Sequence, residues 1–119
     1  MEYMLLIFMN PESYAGMSEA EQHAIFGEYL AYTEKMRGAG AFVYGDALQG
    51  PDTATVVRVR DGARAVTDGP FIEAKEVLVG YYQVKADTLD EALDWAAQIP
   101  DARLGGSIEV RPVLQFPSA

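Results

Sequence analysis

Asp68, Glu73, Lys75 and Glu76 place four charged side chains within nine residues, directly ahead of the apolar run Val77 to Val84. A carboxylate can take a proton from a bound molecule when burial raises its affinity for that proton. Asp68 and Glu73 are therefore the candidate catalytic bases, and Lys75 a candidate charge partner for a ligand. On an extended segment Glu73 and Lys75 point the same way and Glu76 the other. Gly69-Pro70 lies inside the run and cannot continue a helix: proline has no N–H, and the residue before it is pushed to extended geometry. The chain must turn here and deliver polar groups to the edge of a hydrophobic sheet, as at the rim of a pocket. A structural role is open to the same residues. Asp68 can cap the turn by accepting backbone N–H bonds, and the remaining charges can form a salt-bridged rim of small net energy.

Further candidates lie elsewhere. Glu109 and Arg111 alternate with Ile108 and Val110, so if the apolar pair faces the helices, the charged pair faces the opposite side of the sheet. There Arg111 is either an anion clamp for a carboxylate-bearing ligand or half of an interface ion pair whose carboxylate is Glu109, Asp68 or Glu73. Arg58 shares a hairpin face with Arg60 and joins that clamp or forms a solvated edge. Tyr81 and Tyr82 point to opposite faces of one strand, so at most one lines a cavity. Tyr29 is a phenol on a helix stripe, either ligand-facing or core. His23, among Glu21, Gln22 and Glu28, reads as a solvated surface residue, and Trp95 reads as core. One histidine and no cysteine leave no spacing that resembles a metal site. Phosphate loops and Gly-rich dinucleotide turns are also missing from the sequence, so neither a metal nor a cofactor is expected.

Elements must position these groups. Tyr3 to Met9 is a continuous apolar run of strand length, expected at the sheet centre and buried on both faces; Asn10-Pro11 ends it. Ser18 with Glu21 is a capping box that starts a helix. Ile25, Tyr29, Tyr32 and Met36 form its apolar stripe, and Gly38 stops it. Strands follow at Phe42 to Ala47 and Thr53 to Arg60. Asp61-Gly62 folds Ala63 to Thr67 back as a hairpin, pairing Arg60 with Ala63, Arg58 with Ala65 and Val56 with Thr67. Val77 to Lys85 is the next strand. Thr88 and Glu91 cap a second helix with a stripe of Leu89, Ala92, Leu93, Ala96 and Ile99, closed by Pro100. Ile108 to Val113 is the last strand. This order predicts a single α+β domain over 1–119, a ferredoxin-like sandwich with an inserted β-hairpin.

Two helices cover one face of such a sheet. The first strand is apolar on both faces, and a large bare apolar patch is rare on a soluble monomer. A second copy of the chain is the simplest cover, which predicts a homodimer of stacked sheets enclosing a pocket. The 119 residues carry a net charge of −9, so phosphate backbones and anionic lipid repel the chain, and neither nucleic acid nor membrane is an expected partner. Met1-Glu2-Tyr3 lacks a basic leader, and the apolar run after it is too short for a signal core or a membrane span. A cytoplasmic protein is expected.

Tyr3-Met4-Leu5-Leu6, Asp68-Gly69-Pro70-Phe71, Glu73, Lys75-Glu76, Gly80-Tyr81-Tyr82, Asp90-Glu91-Ala92-Leu93 and Glu109-Val110-Arg111-Pro112 together resemble the YCII-related family, in its DGPF-motif branch. The resemblance implies a dimeric α/β barrel, with a regulatory setting beside extracytoplasmic-function sigma factors in some members. It also implies kinship with an enzyme that eliminates chloride from a chlorinated hydroquinone. That enzyme's acid–base pair is a histidine on the first helix and an aspartate just before the proline that follows the second helix. Here Tyr29 falls at the histidine position and Ile99 precedes Pro100, so the chain departs from the pair at both places. The expected function is binding of a small polar or aromatic molecule between sheets, with proton transfer or elimination at Asp68 or Glu73. The alternative is a non-enzymatic binding or regulatory partner in a sigma-factor circuit.

Overall fold

The apolar run near the N-terminus forms the centre of the sheet because it can pair on both edges. In the computed structural model, which describes residues 1–69 and 75–117, β1 (Glu2–Met9) lies antiparallel between β5 (Val77–Lys85) and β6 (Ser107–Pro112), and β2 (Phe42–Ala47) adds outside β5. The order β2-β5-β1-β6 is that of a ferredoxin-like α+β sheet. β3 (Thr55–Arg60) and β4 (Ala63–Asp68) form a separate two-stranded ribbon. Its register pairs Arg60 with Ala63, Arg58 with Ala65 and Val56 with Thr67, as the Asp61-Gly62 turn predicts. Both turn residues have positive φ, 51° and 75°, the backbone that this two-residue turn requires.

Among the described residues four α-helices accompany the strands: α1 (Pro11–Ala15), α2 (Glu19–Gly38), α3 (Leu89–Ala97) and α4 (Pro100–Arg103). Ser18 and Glu21 form the reciprocal capping box at the start of α2. At α3 the box is modified. Thr88 accepts from Glu91 N, but the Glu91 carboxylate reaches back to Asp87 N at 2.9 Å. α1 and α4 were not expected. Pro11 and Pro100 end one element and begin the next, because a proline in the first helical turn forfeits an N–H that would go unbonded anyway. Asn10 caps α1 by accepting from Glu12 N at 3.1 Å.

The core lies between one sheet face and the helices. Tyr3, Leu5, Ile7, Tyr82 and Val84 point inward against Tyr32, Met36, Ala92, Ala96 and Ile99. Leu89 and Leu93 stay half exposed, so α3 buries a narrower stripe than its spacing suggests. The other face of β1 presents Met4, Leu6 and Phe8, all partly exposed; within one chain the strand is buried on one face. The Cα envelope of 51 × 48 × 18 Å is two layers deep. A β-bulge between Ile7 and Phe8 shifts the pairing with β5. It breaks the expected alternation there: Val79 packs on the core while Leu78 is exposed.

Candidate functional site

α1 and α4 are short, and each carries a polar group to the same point. Asp101, in the first turn of α4, is 2% exposed and is the only buried polar or charged side chain among the described residues. Tyr14 on α1 donates to Asp101 Oδ1 at 2.8 Å. Tyr29 on α2 donates to Asp101 Oδ2. Leu104 N and Gly106 N both bond the Asp101 carbonyl, which fixes the turn that aims the carboxyl inward. Gly106 is required there: a Cβ would strike the Phe8 carbonyl oxygen and lie 3.0 Å from the Asp101 carbonyl oxygen.

Burial raises both phenols well above the ordinary range near about 10, and the hydrogen bond to Asp101 and its charge raise them further. At neutral pH both therefore keep their protons, and neither serves as a base. The carboxyl has about four lone-pair sites, and the two phenols occupy one on each oxygen. Capacity remains for an O–H or N–H from another molecule.

Such a molecule has a place to sit. Asp101, Tyr14 and Tyr29 line one end of a cleft of about 500 Å³ between α2 and the β2–β5 edge of the sheet. Its walls are mostly apolar: Phe26 and Leu30 from α2, Met9 and Val79 from the sheet, Phe42 and Leu48 from β2 and the loop after it. Tyr82 and Thr33, hydrogen-bonded at 2.8 Å, lie along its floor, where burial raises the Tyr82 phenol and the Thr33 bond partly offsets that. At the far end the Arg37 guanidinium stacks 4.2 Å from the Phe42 ring centroid.

Among the described residues read from sequence as candidate site groups, Tyr29 and Tyr82 line this cleft. Asp68 is exposed on β4 opposite Thr55, and Arg58 is exposed on β3. Glu73 lies outside the described residues. Tyr81 is on the helix-free sheet face and donates to Asp46 Oδ2 at 2.9 Å, which raises its own pKa. Glu109 and Arg111 are on that face too, paired at 3.0 Å and largely exposed. Lys75, Glu76 and Glu109 line a separate shallow groove of about 480 Å³ with Phe8, Ser107 and Ile108. Neither Asp68 nor Arg111 lines the α2 cleft. His23 is exposed beside Phe26. Three or more His, Cys, Asp or Glu side chains grouped to hold a metal do not occur among the described residues, and no helix there is long and apolar enough to cross a membrane.

Sequence reasoning missed Asp101 and Tyr14. The departure from the acid–base pair is unchanged, since Ile99 still precedes Pro100. An aspartate stands immediately after Pro100 rather than before it, and it bonds Tyr29. The available signal was the Pro-acid dipeptide, Pro11-Glu12 and Pro100-Asp101, which marks a helix start.

Three comparisons bear on this geometry. The profile of the YCII-related domain matches residues 1–117. An uncharacterized protein of Rhizobium meliloti (strain 1021), R00369, is 33% identical over 117 residues, covering 98% of this chain and 94% of that protein. Among solved structures, 5-chloro-2-hydroxyhydroquinone dehydrochlorinase (TftG) from Burkholderia phenoliruptrix AC1100, in complex with 2,5-dihydroxybenzoquinone, superposes with a TM-score of 0.58. That match covers 98% of this chain and 96% of the other at 14% identity, a likeness of fold.

Proposed function

The chain belongs to the YCII-related domain family, and we propose that it binds a small, mostly apolar molecule bearing a hydroxyl in the α2 cleft and carries out proton transfer there. The observation that carries this reading is a buried carboxyl, Asp101, held by two phenols at the end of an apolar cleft. Asp101 takes a proton from a C–H beside the bound hydroxyl and returns a proton exchanged with solvent to the same carbon, while Tyr14 and Tyr29 hold the carboxyl in place. The dehydrochlorinase that shares the fold supports ring-bearing hydroxyl compounds as first probes.

The reading includes a second copy of the chain on the helix-free sheet face. Its support is the row Met4, Leu6 and Phe8, left partly exposed beside Tyr44 and Tyr81, where burial of apolar area favours association. In that dimer Arg111, Glu109, Lys75 and Tyr81 line the space between sheets, with Arg58 and Asp68 at its rim.

The test is a thermal-shift screen of phenols, hydroquinones and small carboxylates, since a ligand of the folded state raises the melting temperature. Hits are then followed by NMR in D₂O for deuterium entering the ligand. Ligand shifts that vanish in Tyr29→Phe, and exchange that vanishes in Asp101→Asn, support the reading. A screen without hits, or hits indifferent to Tyr29→Phe, removes it. One observation favours a second reading, a binder without chemistry: both phenols are raised and bonded to one carboxyl, an arrangement suited to static recognition. Binding with no exchange in the wild-type protein selects it.

A further inference from the structure

Resting on the α2 cleft as the binding site, we propose that its ligand is a carboxylate: a ring-sized apolar body with an acid group paired to Arg37 and a hydroxyl directed at Asp101. The two ends of the cleft differ in chemistry. Tyr29, Thr33 and Arg37 are spaced four apart on α2, so they share one face, and Tyr29 and Arg37 are about 12 Å apart along the axis. One end holds the carboxyl and its phenols; the other holds a guanidinium. The lining between them is mostly apolar.

Arg37 is not consumed by the protein. Its ion pair with Glu34 runs through Nε at 3.9 Å between side chains that are 55% and 79% exposed, a weak interaction in water. Among the described residues its guanidinium makes no hydrogen bond. Stacking on Phe42 at 4.2 Å fixes the plane of the group and leaves its N–H edges for the two-pronged bonding that suits a carboxylate.

Charge makes this arrangement selective. The chain carries −9 and repels small anions over most of its surface. Among the described residues Arg37 is the one cation lining the cleft; the other charged lining residues there are Asp101 and Asp46, and Asp46 is bonded to Tyr81 on the other sheet face. An anionic ligand is thus held at one end and oriented, hydroxyl inward, toward Asp101.

The probe is 3-(4-hydroxyphenyl)propanoate, compared with its methyl ester and with tyramine, titrated calorimetrically into the wild-type protein and into Arg37→Met and Arg37→Lys. The acid is expected to bind about tenfold tighter than the ester, a step of 1.4 kcal/mol, and tighter than tyramine. Arg37→Met, which keeps a side chain over Phe42, should erase the difference between acid and ester by weakening the acid more than the ester. Arg37→Lys, which keeps the charge and loses the fork, should retain only part of it. Equal binding of acid and ester, preference for tyramine, or an Arg37→Met protein that still favours the acid overturns the carboxylate assignment and leaves the cleft reading standing. No binding by any of the three, together with an empty thermal-shift screen, overturns the proposed function and this inference with it.

Discussion

Tyr29 on α2 and Asp101 on α4, 72 positions apart in the chain, are joined by a phenol-to-carboxyl hydrogen bond. Tyr14 reaches the other oxygen from 87 positions away. Three separate helices thereby converge on one buried group. Leaving a buried donor without an acceptor is costly, so this cluster ties α1 and α4 to α2 as well as equipping the cleft.

Asp101→Asn should therefore destabilise the fold. An amide offers one oxygen and one NH₂, so one phenol would face a donor instead of an acceptor. The expected loss is roughly 1–3 kcal/mol in urea denaturation. Adding Tyr14→Phe or Tyr29→Phe should recover part of it, because the conflicting donor is removed, and such neighbours do not add independently. Strict additivity of the single changes would mean that the phenols and the carboxyl are not energetically coupled.

Alkaline pH should weaken the protein in a defined window. The Tyr14 and Tyr29 phenols are raised in the folded state, mainly by burial, and so are Tyr32 and Tyr82. Each contributes stability in full below the unfolded-state pKa of about 10, and that contribution falls as pH rises beyond it, since the unfolded chain releases the proton first. Stability followed by urea denaturation should stay level with respect to these groups from neutrality to about pH 10 and then decline. Tyr29→Phe and Tyr14→Phe should each make the decline shallower. A decline of unchanged steepness in both variants would contradict the buried-phenol account.

Gly45→Ala tests the floor of the cleft. A Cβ there would lie 2.5 Å from Tyr82 Cδ1 and 3.2 Å from the Tyr81 carbonyl oxygen. The Tyr82 ring would have to move from its edge-on contacts with Tyr32 and Phe42. Overpacking of this kind costs about 1–3 kcal/mol. Gly106→Ala should cost more, since the obstructing atom is the backbone oxygen of Phe8 rather than a ring that can turn. Melting temperatures for the two variants should fall in that order.

Association through the helix-free sheet face predicts that the wild-type chain sediments as a dimer at micromolar concentration. Leu6 sits on that face between Tyr81 and Glu109 in register. Leu6→Asp should give a folded monomer with unchanged far-ultraviolet circular dichroism. A wild-type chain that sediments as a monomer would end the stacked-sheet proposal while leaving the α2 cleft untouched.

Much of the fold is legible in the chain itself. The ends of β2 and β5 coincide with the residues read from sequence, and the register of β3 on β4 follows from Asp61-Gly62 alone. Such features rest on local chemistry: alternation, caps and a turn whose backbone few residues tolerate. Where several local readings compete, legibility ends. Pro11 and Pro100 mark both a stop and a start, and reading only the stop concealed α1 and α4. The bulge that turns Val79 inward has no signature in a run as uniformly apolar as Val77 to Val84.

The cleft was less legible than the fold for a related reason. The densest charge cluster in the sequence, Asp68 to Glu76, drew attention because charges beside an apolar strand are conspicuous. Exposed carboxylates are ordinary, however, and exposure cannot be read from type or spacing. Asp101 looks like one acid among eighteen in the chain, and what distinguishes it is its burial against two phenols. By itself the sequence determined strand, helix and hairpin, because those follow from neighbours within a few residues. Only the tertiary structure decided which acid is enclosed, because that depends on helices from distant parts of the chain meeting over one carboxyl and excluding water from it.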